Sequence, residues 1–487
     1  MSSKMKTIFI SLTCFISFIS LNGQNTKTDS LLQLAREDLA VMKFSKAMNQ
    51  LNLVEKQEAL NTEMLYLKAE LYLLKGMEAY FTYLDKLVQM GSNEQVSILK
   101  AKHCLFIGSE SYDSLYAEYS KKYPQNAELV YCDWLNHLNS FDFEFCKKTV
   151  SSISNKILFS FAPYLALYYK AWDTDYKLAL DYLDTLELMV GNFHQSKYRK
   201  ILELLAISSP HEPTQDLIEL TFSWCGSGMG YYLILENGDS LKIELDTGTG
   251  YNLLSIHDFK KGQSIPGKDL IVIKEGIQYN YMDAPKDLFY KTFNLSKPPY
   301  NKLLFGYFDG RFSKADGCAS PFIFKNYAFQ IDPIDQKVFL RSHDNIERYL
   351  QHNKEHIELI PYQLRNGWFY IPCKVNGKEI MMMIETGSRN INFNKLSVQE
   401  LGLEAYESTI KWKGKDYKLK KVDCTIEIGT IKYQIKGGFV TDFVLGNWHY
   451  GVASAGDIGP DFLKNYVFTI DPFHKQIIFE IPEMHRY

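Results

Sequence analysis

Cysteine is scarce in this sequence, with 8 among 487 residues and no C-x-x-C pair. Seven of the eight follow the N-terminal segment, and an odd number does not indicate a complete set of disulfides. Two hypotheses remain open. Either Cys132 and Cys146, the best-placed pair in the helical part, form a disulfide, or the cysteines are buried thiols.

An excess of charge of one sign is also absent, because 54 basic and 57 acidic side chains give a net charge of −3. This balance gives no reason to expect nucleic acid or an anionic membrane as a partner. Apolar runs long enough to cross a membrane are missing after residue 21, so no membrane span is predicted in the mature chain. The hydrophobic fraction is an ordinary 46%, and the length allows about three domains.

The first 23 residues have the pattern of a secretory signal peptide. Lys4 and Lys6 precede an apolar run over residues 7–21, and Gly23 supplies a small residue at the expected cleavage site. The run is short for a membrane-spanning helix. The sequence therefore predicts a signal peptide over 1–23 and export to the periplasm or the extracellular space.

Residues 24–210 have the periodicity of α-helices, with apolar side chains recurring at three- and four-residue steps. Helix pairs of roughly 30 to 40 residues are typical of tetratricopeptide-like (TPR-like) solenoids, so an all-α helical-repeat domain is predicted. Pro210 and Pro213 end it. An aromatic stripe favours packing between helices over a peptide-binding groove; its members are Tyr164, Tyr168, Tyr169, Trp172 and Tyr176.

A duplicated pattern with a constant offset of 139 residues occupies the rest of the chain. An alternating hydrophobic run leads into Asp246-Thr247-Gly248-Thr249, and the second copy reads Glu385-Thr386-Gly387-Ser388. Asn-Gly pairs at Asn237 and Asn376 precede the two motifs and predict type I′ hairpin turns. A repeat kept in register over more than a hundred residues indicates tandem duplication of one all-β unit.

These paired loops resemble those of the two-lobed aspartic proteases, both the pepsin-like enzymes and their bacterial retropepsin-like relatives. The stretch from Gly456 to Asp471 resembles the closing segment of that family, in which a hydrophobic-Gly step and a short helix lead to a final Ile-Asp strand. The resemblance implies an all-β duplicated acid-protease double barrel behind the helical domain. Its parts are lobe 1 over 215–342, a linker helix over 343–355 and lobe 2 over 356–487. Because both motifs lie in one chain, a monomer is expected.

Asp246 and Glu385 are the predicted catalytic pair. Two carboxyl groups within hydrogen-bonding distance cannot both ionise, so one acts as a base toward water and the other as an acid toward the peptide carbonyl. This chemistry needs no cofactor and no metal. His352 and His356 have an i, i+4 spacing, but without the H-E-x-x-H pattern they predict no metal site.

Six neighbours are expected to support the pair. Gly248 and Gly387 leave room where the two loops meet. The resemblance implies that Thr247 and Thr386 hydrogen bond across a pseudo-two-fold axis. It also implies that the hydroxyls of Thr249 and Ser388 lie beside the carboxylates.

Two residues depart from the family pattern: Glu385 stands where the family has Asp, and Ser320 stands where lobe 2 has Gly459. Two functions therefore stay open. The chain is an exported aspartic-type endopeptidase, or an inactive homologue that binds a peptide or protein through its cleft or helical domain. Contact between Asp246 and Glu385 would favour the first, and pairing of Glu385 with Arg389 the second.

Other hydrolase classes have less support. A glycosidase with two carboxylates has no need of symmetric loops. Gly226-Ser227-Gly228 lacks the G-x-S-x-G spacing of a serine nucleophile.

Overall fold

The computed structural model describes most of the chain after residue 26. The described residues are 27–39, 43–75, 77–109, 111–139, 142–157, 160–190, 199, 202–203, 206, 215–235, 237–248, 252–255, 271–274, 287–294, 302–308, 314–365, 368–388, 390–412, 415–441 and 454–481. The predicted signal peptide and the predicted boundary at 208–214 lie outside them. Within these ranges, no helix has the length and apolar character that crossing a bilayer requires.

A helical region comes first in the chain. Its helices are α1 (27–39), α2 (Phe44–Gln57), α3 (Thr62–Leu74), α4 (Ala79–Gln89), α5 (Asn93–Ile107), α6 (Tyr112–Lys122), α7 (Ala127–Asn139), α8 (Phe143–Ser154), α9 (Ala162–Thr174) and α10 (Tyr176–Val190). The chain divides into two compact units, residues 1–101 and 102–487. In the first unit α3 packs against α2 and α4, and in the second each helix from α6 to α10 packs against the next.

The aromatic stripe contributes to the core of the second unit. Tyr168 and Tyr169 are buried with Leu165 and Leu183, and the partly buried Tyr164 and Tyr176 pack against this cluster. Packing between helices, the favoured interpretation, is therefore confirmed for these four tyrosines. Trp172 has no described side chain.

The disulfide hypothesis is wrong. All seven cysteines in the described residues are buried thiols, and none is joined to another. Cys146 donates a hydrogen bond to the carbonyl oxygen of Trp134 at 3.6 Å, because its thiol faces the neighbouring helix α7.

A β-rich region with two sheets follows the helices, consistent with a two-lobed acid-protease architecture. Its first half contains β1 (Leu217–Cys225), β2 (Gly228–Ile234), β3 (Ser240–Leu245), β4 (Leu253–Ser255), β5 (Ile271–Lys274), β6 (Asp287–Asn294), β7 (Lys302–Phe308), β8 (Gly317–Ala319), a 3₁₀ turn (Pro321–Phe324), β9 (Ala328–Asp332) and β10 (Lys337–Arg341). Helix α11 (His343–Asn353) follows.

The second half repeats the pattern. It contains β11 (Ile357–Pro361), β12 (Gln363–Arg365), β13 (Trp368–Val375), β14 (Lys378–Ile384), β15 (Asn392–Asn394), α12 (Lys395–Glu400), β16 (Ala405–Trp412), β17 (Lys415–Ile428), β18 (Ile431–Thr441), β19 (Gly456–Ile458), α13 (Pro460–Leu463), β20 (Phe468–Asp471) and β21 (Gln476–Glu480).

The two halves are related by the offset that the sequence shows. Strands β4, β8 and β10 recur 139 residues later as β15, β19 and β21, with the same lengths. The pairing recurs as well: β3 is parallel to β8 and β4 antiparallel to β8, while β14 is parallel to β19 and β15 antiparallel to β19. One sequence unit therefore folds twice into the same local topology.

Strands β9 and β20 join the two halves. They pair antiparallel, with Phe329 opposite Ile470, Gln330 opposite Thr469 and Ile331 opposite Phe468. Gln330 and Thr469 occupy equivalent repeat positions and face each other, so a pseudo-two-fold axis passes between them. The sheet around this axis has the order β11-β21-β20-β9-β10-β1.

The two Asn-Gly turns differ. In lobe 2, Asn376 and Gly377 have φ of 48° and 83°, and Val375 pairs with Lys378, as expected of a type I′ turn. In lobe 1, Gly238 has a positive φ of 87°, but Leu235 is the residue that pairs with Asp239, because the Leu235 N–H donates to the Asp239 carbonyl at 2.8 Å. The type I′ prediction is wrong there, because the Asn237 side chain instead accepts the Asp239 N–H at 3.1 Å and widens the loop.

Helix α11 packs on the sheet that joins the halves. Its Ile346 is fully buried against Ala328 and Ile478, one from each half. Ser342 caps the helix by accepting the Asn345 N–H at 3.3 Å. The helix therefore stabilises the joint itself.

We expect Ile346→Ala to lower the free energy of unfolding by about 2–4 kcal/mol, because it removes buried methyl groups and leaves a cavity. Ile334→Ala removes the same atoms from a residue that is 58% exposed, and is the matched control. Urea unfolding followed by tryptophan fluorescence measures both. Equal midpoints for the two variants would show that α11 does not stabilise the joint.

Candidate active site

The two predicted catalytic residues each stand directly after a central strand. Asp246 follows β3 and Glu385 follows β14. The Asp246 N–H donates to the Ala319 carbonyl at 3.0 Å, and the Glu385 N–H donates to the Ile458 carbonyl at 3.0 Å. Both acids are thus held by the same backbone contact in equivalent places.

Thr247 and Thr386 lock the two loops together. Each backbone N–H donates to the other residue's hydroxyl oxygen, at 3.0 Å from Thr247 and 2.9 Å from Thr386. Each hydroxyl then donates across the axis, Thr247 to the Ile384 carbonyl at 2.6 Å and Thr386 to the Leu245 carbonyl at 2.7 Å. Both threonines are completely buried. The structure therefore brings them together as the resemblance implies.

The same lock brings the two carboxyl groups into contact. Asp246 and Glu385 hydrogen bond through their side chains. Each also accepts a backbone N–H from its own loop, Asp246 from Gly248 and Glu385 from Gly387, both at 2.9 Å. Both acids keep part of their surface exposed, so water reaches them.

The glycines lie against the opposite carboxyl, and the contact is not symmetric. A methyl group on Gly248 would lie 1.7 Å from Glu385 Oε2, whereas one on Gly387 would lie 3.0 Å from Asp246 Oδ1. The difference is about one C–C bond length, the reach of the extra methylene in Glu385. The site accommodates the longer acid because Gly248 has no side chain.

The carboxyl group of Glu385 resists ionisation. Burial raises the pKa of Glu385 well above its usual range, and the nearby charges of Asp246 and Asp457 raise it further. The Gly387 N–H opposes this shift only weakly. A pair with one raised pKa shares a single proton over a wide pH range.

Asp457 is a third acid that the sequence analysis did not single out. It is 6% exposed and accepts a hydrogen bond from Asn392 Nδ2 at 2.6 Å and another from the Ser388 hydroxyl. Burial raises the pKa of Asp457 to about 7, although these hydrogen bonds lower it. Ser388, expected beside the catalytic carboxylate, therefore hydrogen bonds with this third acid.

The differences between the two repeats in the sequence indicate that Asp457 belongs to the site. Asn392 and Asp457 face each other across β15 and β19, and the equivalent pair in lobe 1 is Leu253 and Cys318. Two polar residues thus replace two apolar ones at paired positions. Such a coupled change beside a catalytic motif indicates a polar contact specific to lobe 2.

Glu244 is a further acid in lobe 1, two residues before Asp246. Burial raises the pKa of Glu244 to about 8, and the charge of Asp246 adds to the shift while Lys242 opposes it. Its side chain lies over Gly228, where a methyl group would come within 2.1 Å of Glu244 Oε1. Two further acids near the pair, Glu244 and Asp457, therefore also resist ionisation.

The remaining predicted residues divide between described and undescribed positions. Thr249 and Arg389 lie outside the described residues. Ser320 keeps the backbone turn of Gly459, because each carbonyl accepts an N–H three residues later at 3.1 Å.

Trp368 is a further residue at the site that the sequence did not indicate. It donates its indole N–H to the Gly248 carbonyl at 2.7 Å and so supports the Asp246 loop.

Comparisons with known proteins give a distant likeness. No family model matches this chain, and no curated protein matches it. Among solved structures, it is similar to the aspartic proteinase from Irpex lacteus, with 10% identity and a TM-score of 0.37 over 55% of this chain and 98% of that chain. A likeness at this level shows nothing about activity.

We expect Thr247→Val to lower the free energy of unfolding by about 2–4 kcal/mol, because the Ile384 carbonyl and the Thr386 N–H lose a buried partner. Thr247→Ser keeps the hydroxyl and should cost about 1 kcal/mol for the lost methyl group. Thermal unfolding followed by circular dichroism compares the two variants. Equal losses would mean that the hydroxyl does not hold the loops.

We expect Asp457→Asn to stabilise the protein at neutral pH but not in acid. The unfolded chain releases this proton near pH 3.8, whereas the folded chain keeps it to about pH 7. The wild type therefore loses stability as pH rises through that window, by a few kcal/mol at most, and the neutral amide does not. Unfolding midpoints from pH 4 to pH 8 test this. A difference that stays constant with pH would contradict it.

Proposed function

We propose that this chain is an aspartic-type endopeptidase in which Asp246 and Glu385 activate one water molecule. The observation that carries the proposal is their mutual hydrogen bond at equivalent positions of two repeated loops. A buried, symmetric threonine lock sets that geometry. Two acids held in contact give one base and one acid, the combination that peptide hydrolysis requires.

The raised pKa of Glu385 supports one assignment of the roles. Glu385 carries the shared proton, so Asp246 is the carboxylate that accepts a proton from water. The water oxygen bonds to the carbonyl carbon of the peptide while Glu385 donates its proton to the carbonyl oxygen. The proton on Asp246 then passes to the leaving nitrogen as the C–N bond breaks. A hydroxyl of the tetrahedral carbon returns its proton to Glu385 as the C=O bond re-forms, which restores the singly protonated pair.

The acidic surroundings imply activity at acidic to neutral pH. Asp457 and Glu244 keep their protons up to about pH 7 and pH 8, so they add little negative charge below that range. Above it, their ionisation repels the Asp246 carboxylate and disturbs the pair.

The rest of the chain fits an exported enzyme that selects its substrates. We propose that residues 1–23 direct export to the periplasm or beyond, and that the active chain is a monomer. We further propose that the helical region is TPR-like and binds a protein substrate or partner. Lys170 of α9 supports a coupling between this region and lobe 2, because its ammonium group donates to the buried Leu364 carbonyl at 2.8 Å.

An inactive homologue that binds peptides is the alternative function. The observation that favours it is the closer approach of the Glu385 carboxyl to the opposite loop, at Gly248, than of Asp246 to Gly387. A shift of the carboxyl group by about one bond length exceeds the tolerance of about 0.5 Å within which catalytic groups usually have to be held. In that case the cleft would hold an extended peptide without cleaving it.

We expect the chain from Gln24 to cleave an unfolded protein in acid, and Asp246→Asn and Glu385→Gln each to lower the rate at least about 100-fold. Glu385→Asp should retain activity, because it keeps a carboxyl on the axis. Asp335→Asn removes an exposed charge from lobe 1 and is the control. Peptide release at pH 3 to 8 is the measurement.

Two results would favour the alternative. One is a folded wild type that shows no cleavage at any pH yet binds peptides in the cleft. The other is cleavage that persists in Asp246→Asn, which would trace the activity to a contaminant or another site.

A further inference from the structure

We propose that His343, Glu347 and His474 form a binding site for a divalent metal ion of the zinc class, which fastens helix α11 to the turn between β20 and β21. The three side chains come from the linker helix and from the last hairpin of lobe 2. The site is separate from the acid pair and does not rest on the proposed peptidase function.

The donor atoms already converge. One ligand atom from each of the three residues lies within 4.8 Å of the others. His474 Nε2 is 2.8 Å from Glu347 Oε1, and His343 Nε2 is 3.9 Å from the same oxygen. Bonds of about 2.0–2.1 Å at a tetrahedral angle place two ligand atoms about 3.4 Å apart. Side-chain shifts of roughly 1 Å therefore complete the site.

The fold holds the ligands from both sides. His343 and Glu347 are four residues apart on α11, so they project from the same face. Ile346 lies between them in the sequence, and its buried side chain packs the helix against the sheet. The Phe473 ring packs edge-on against His343 with ring centres 5.1 Å apart, which limits the movement of that imidazole.

Asp471 orients the third ligand. This carboxylate is completely buried, and its Oδ2 lies 2.6 Å from His474 Nδ1. With Nδ1 engaged, Nε2 is the nitrogen that faces Glu347. Histidines that bind metals usually have this arrangement, in which a carboxylate accepts from the nitrogen opposite the metal.

The equivalent turn of lobe 1 shows that the hairpin does not need a histidine. There Asp332 accepts the N–H groups of Ile334 and Asp335 at 3.0 and 2.8 Å, as Asp471 accepts those of Phe473 and His474. Asp335 is exposed where lobe 2 has His474. The histidine is thus an addition to a turn that its aspartate already holds.

The donor set selects the class of ion. Two imidazole nitrogens and one carboxylate suit zinc, cobalt, nickel or copper, whereas magnesium and calcium prefer oxygen ligands. The side chains of His343, Glu347 and His474 are 57%, 39% and 33% exposed, so water can supply a fourth ligand. Without metal, the same atoms form an ion pair between Glu347 and His474.

The sequence predicts no metal site, and the histidines with i, i+4 spacing, His352 and His356, are a different pair. In the structure, His352 is exposed and contacts the Arg348 carbonyl of its own helix at 2.7 Å. It is not part of the cluster. His352 therefore offers a matched control on the same helix.

The test uses the untagged chain from Gln24, freed of metal and titrated with Co²⁺. We expect one equivalent to bind, with the visible absorption of tetrahedral cobalt and without thiolate charge-transfer bands. Zinc should displace the cobalt and raise the unfolding midpoint. His343→Gln and His474→Gln should each weaken binding at least about tenfold, and His352→Gln should leave it unchanged.

Three results would overturn the proposal. They are the absence of stoichiometric binding, thiolate bands that assign the ion to cysteine, and unchanged affinity in both His343→Gln and His474→Gln. The metal-free midpoints of these variants show whether each still folds. Because the readouts are binding and unfolding, they do not depend on peptidase activity.

Discussion

The structure depends on one constraint: two acidic side chains are held in contact at a partly buried site. Like charges at this distance repel, so the loops that carry them need an independent source of cohesion. Four hydrogen bonds between Thr247 and Thr386 and the neighbouring backbone supply it, and all of them are buried. Burial matters because such bonds are costly to lose once no water can replace them.

A second contact on the pseudo-two-fold axis supports the first. Strands β9 and β20 pair around Gln330 and Thr469, and α11 covers the same sheet. The halves are therefore joined by two features that each derive from the duplication, a sheet and a pair of loops. A joint of this kind keeps the loops in register, which the acid pair requires.

The differences between the two repeats that affect the acid pair lie in lobe 2. Glu385 replaces an Asp, and Asn392 and Asp457 replace an apolar pair behind it. These changes are adjacent in space: the third acid raises the pKa of Glu385 and also binds Ser388. The longer acid and the polar pair therefore belong to one altered site.

The sequence by itself determined the duplication, the two motifs and the change from helices to strands. Each of these features is recognised from a local pattern or from a constant offset between residues, and neither requires knowledge of how the chain packs. The tertiary structure alone decided which side chains meet. Asp457 reaches Ser388 and Glu385 through a parallel strand pair, and His343 reaches His474 across 131 residues of chain. It also showed that Cys132 and Cys146 stay separate thiols, and that the Asn237 side chain accepts the Asp239 N–H in place of a type I′ turn. Contacts between distant segments depend on how strands are ordered in the sheets, and local periodicity does not encode that order.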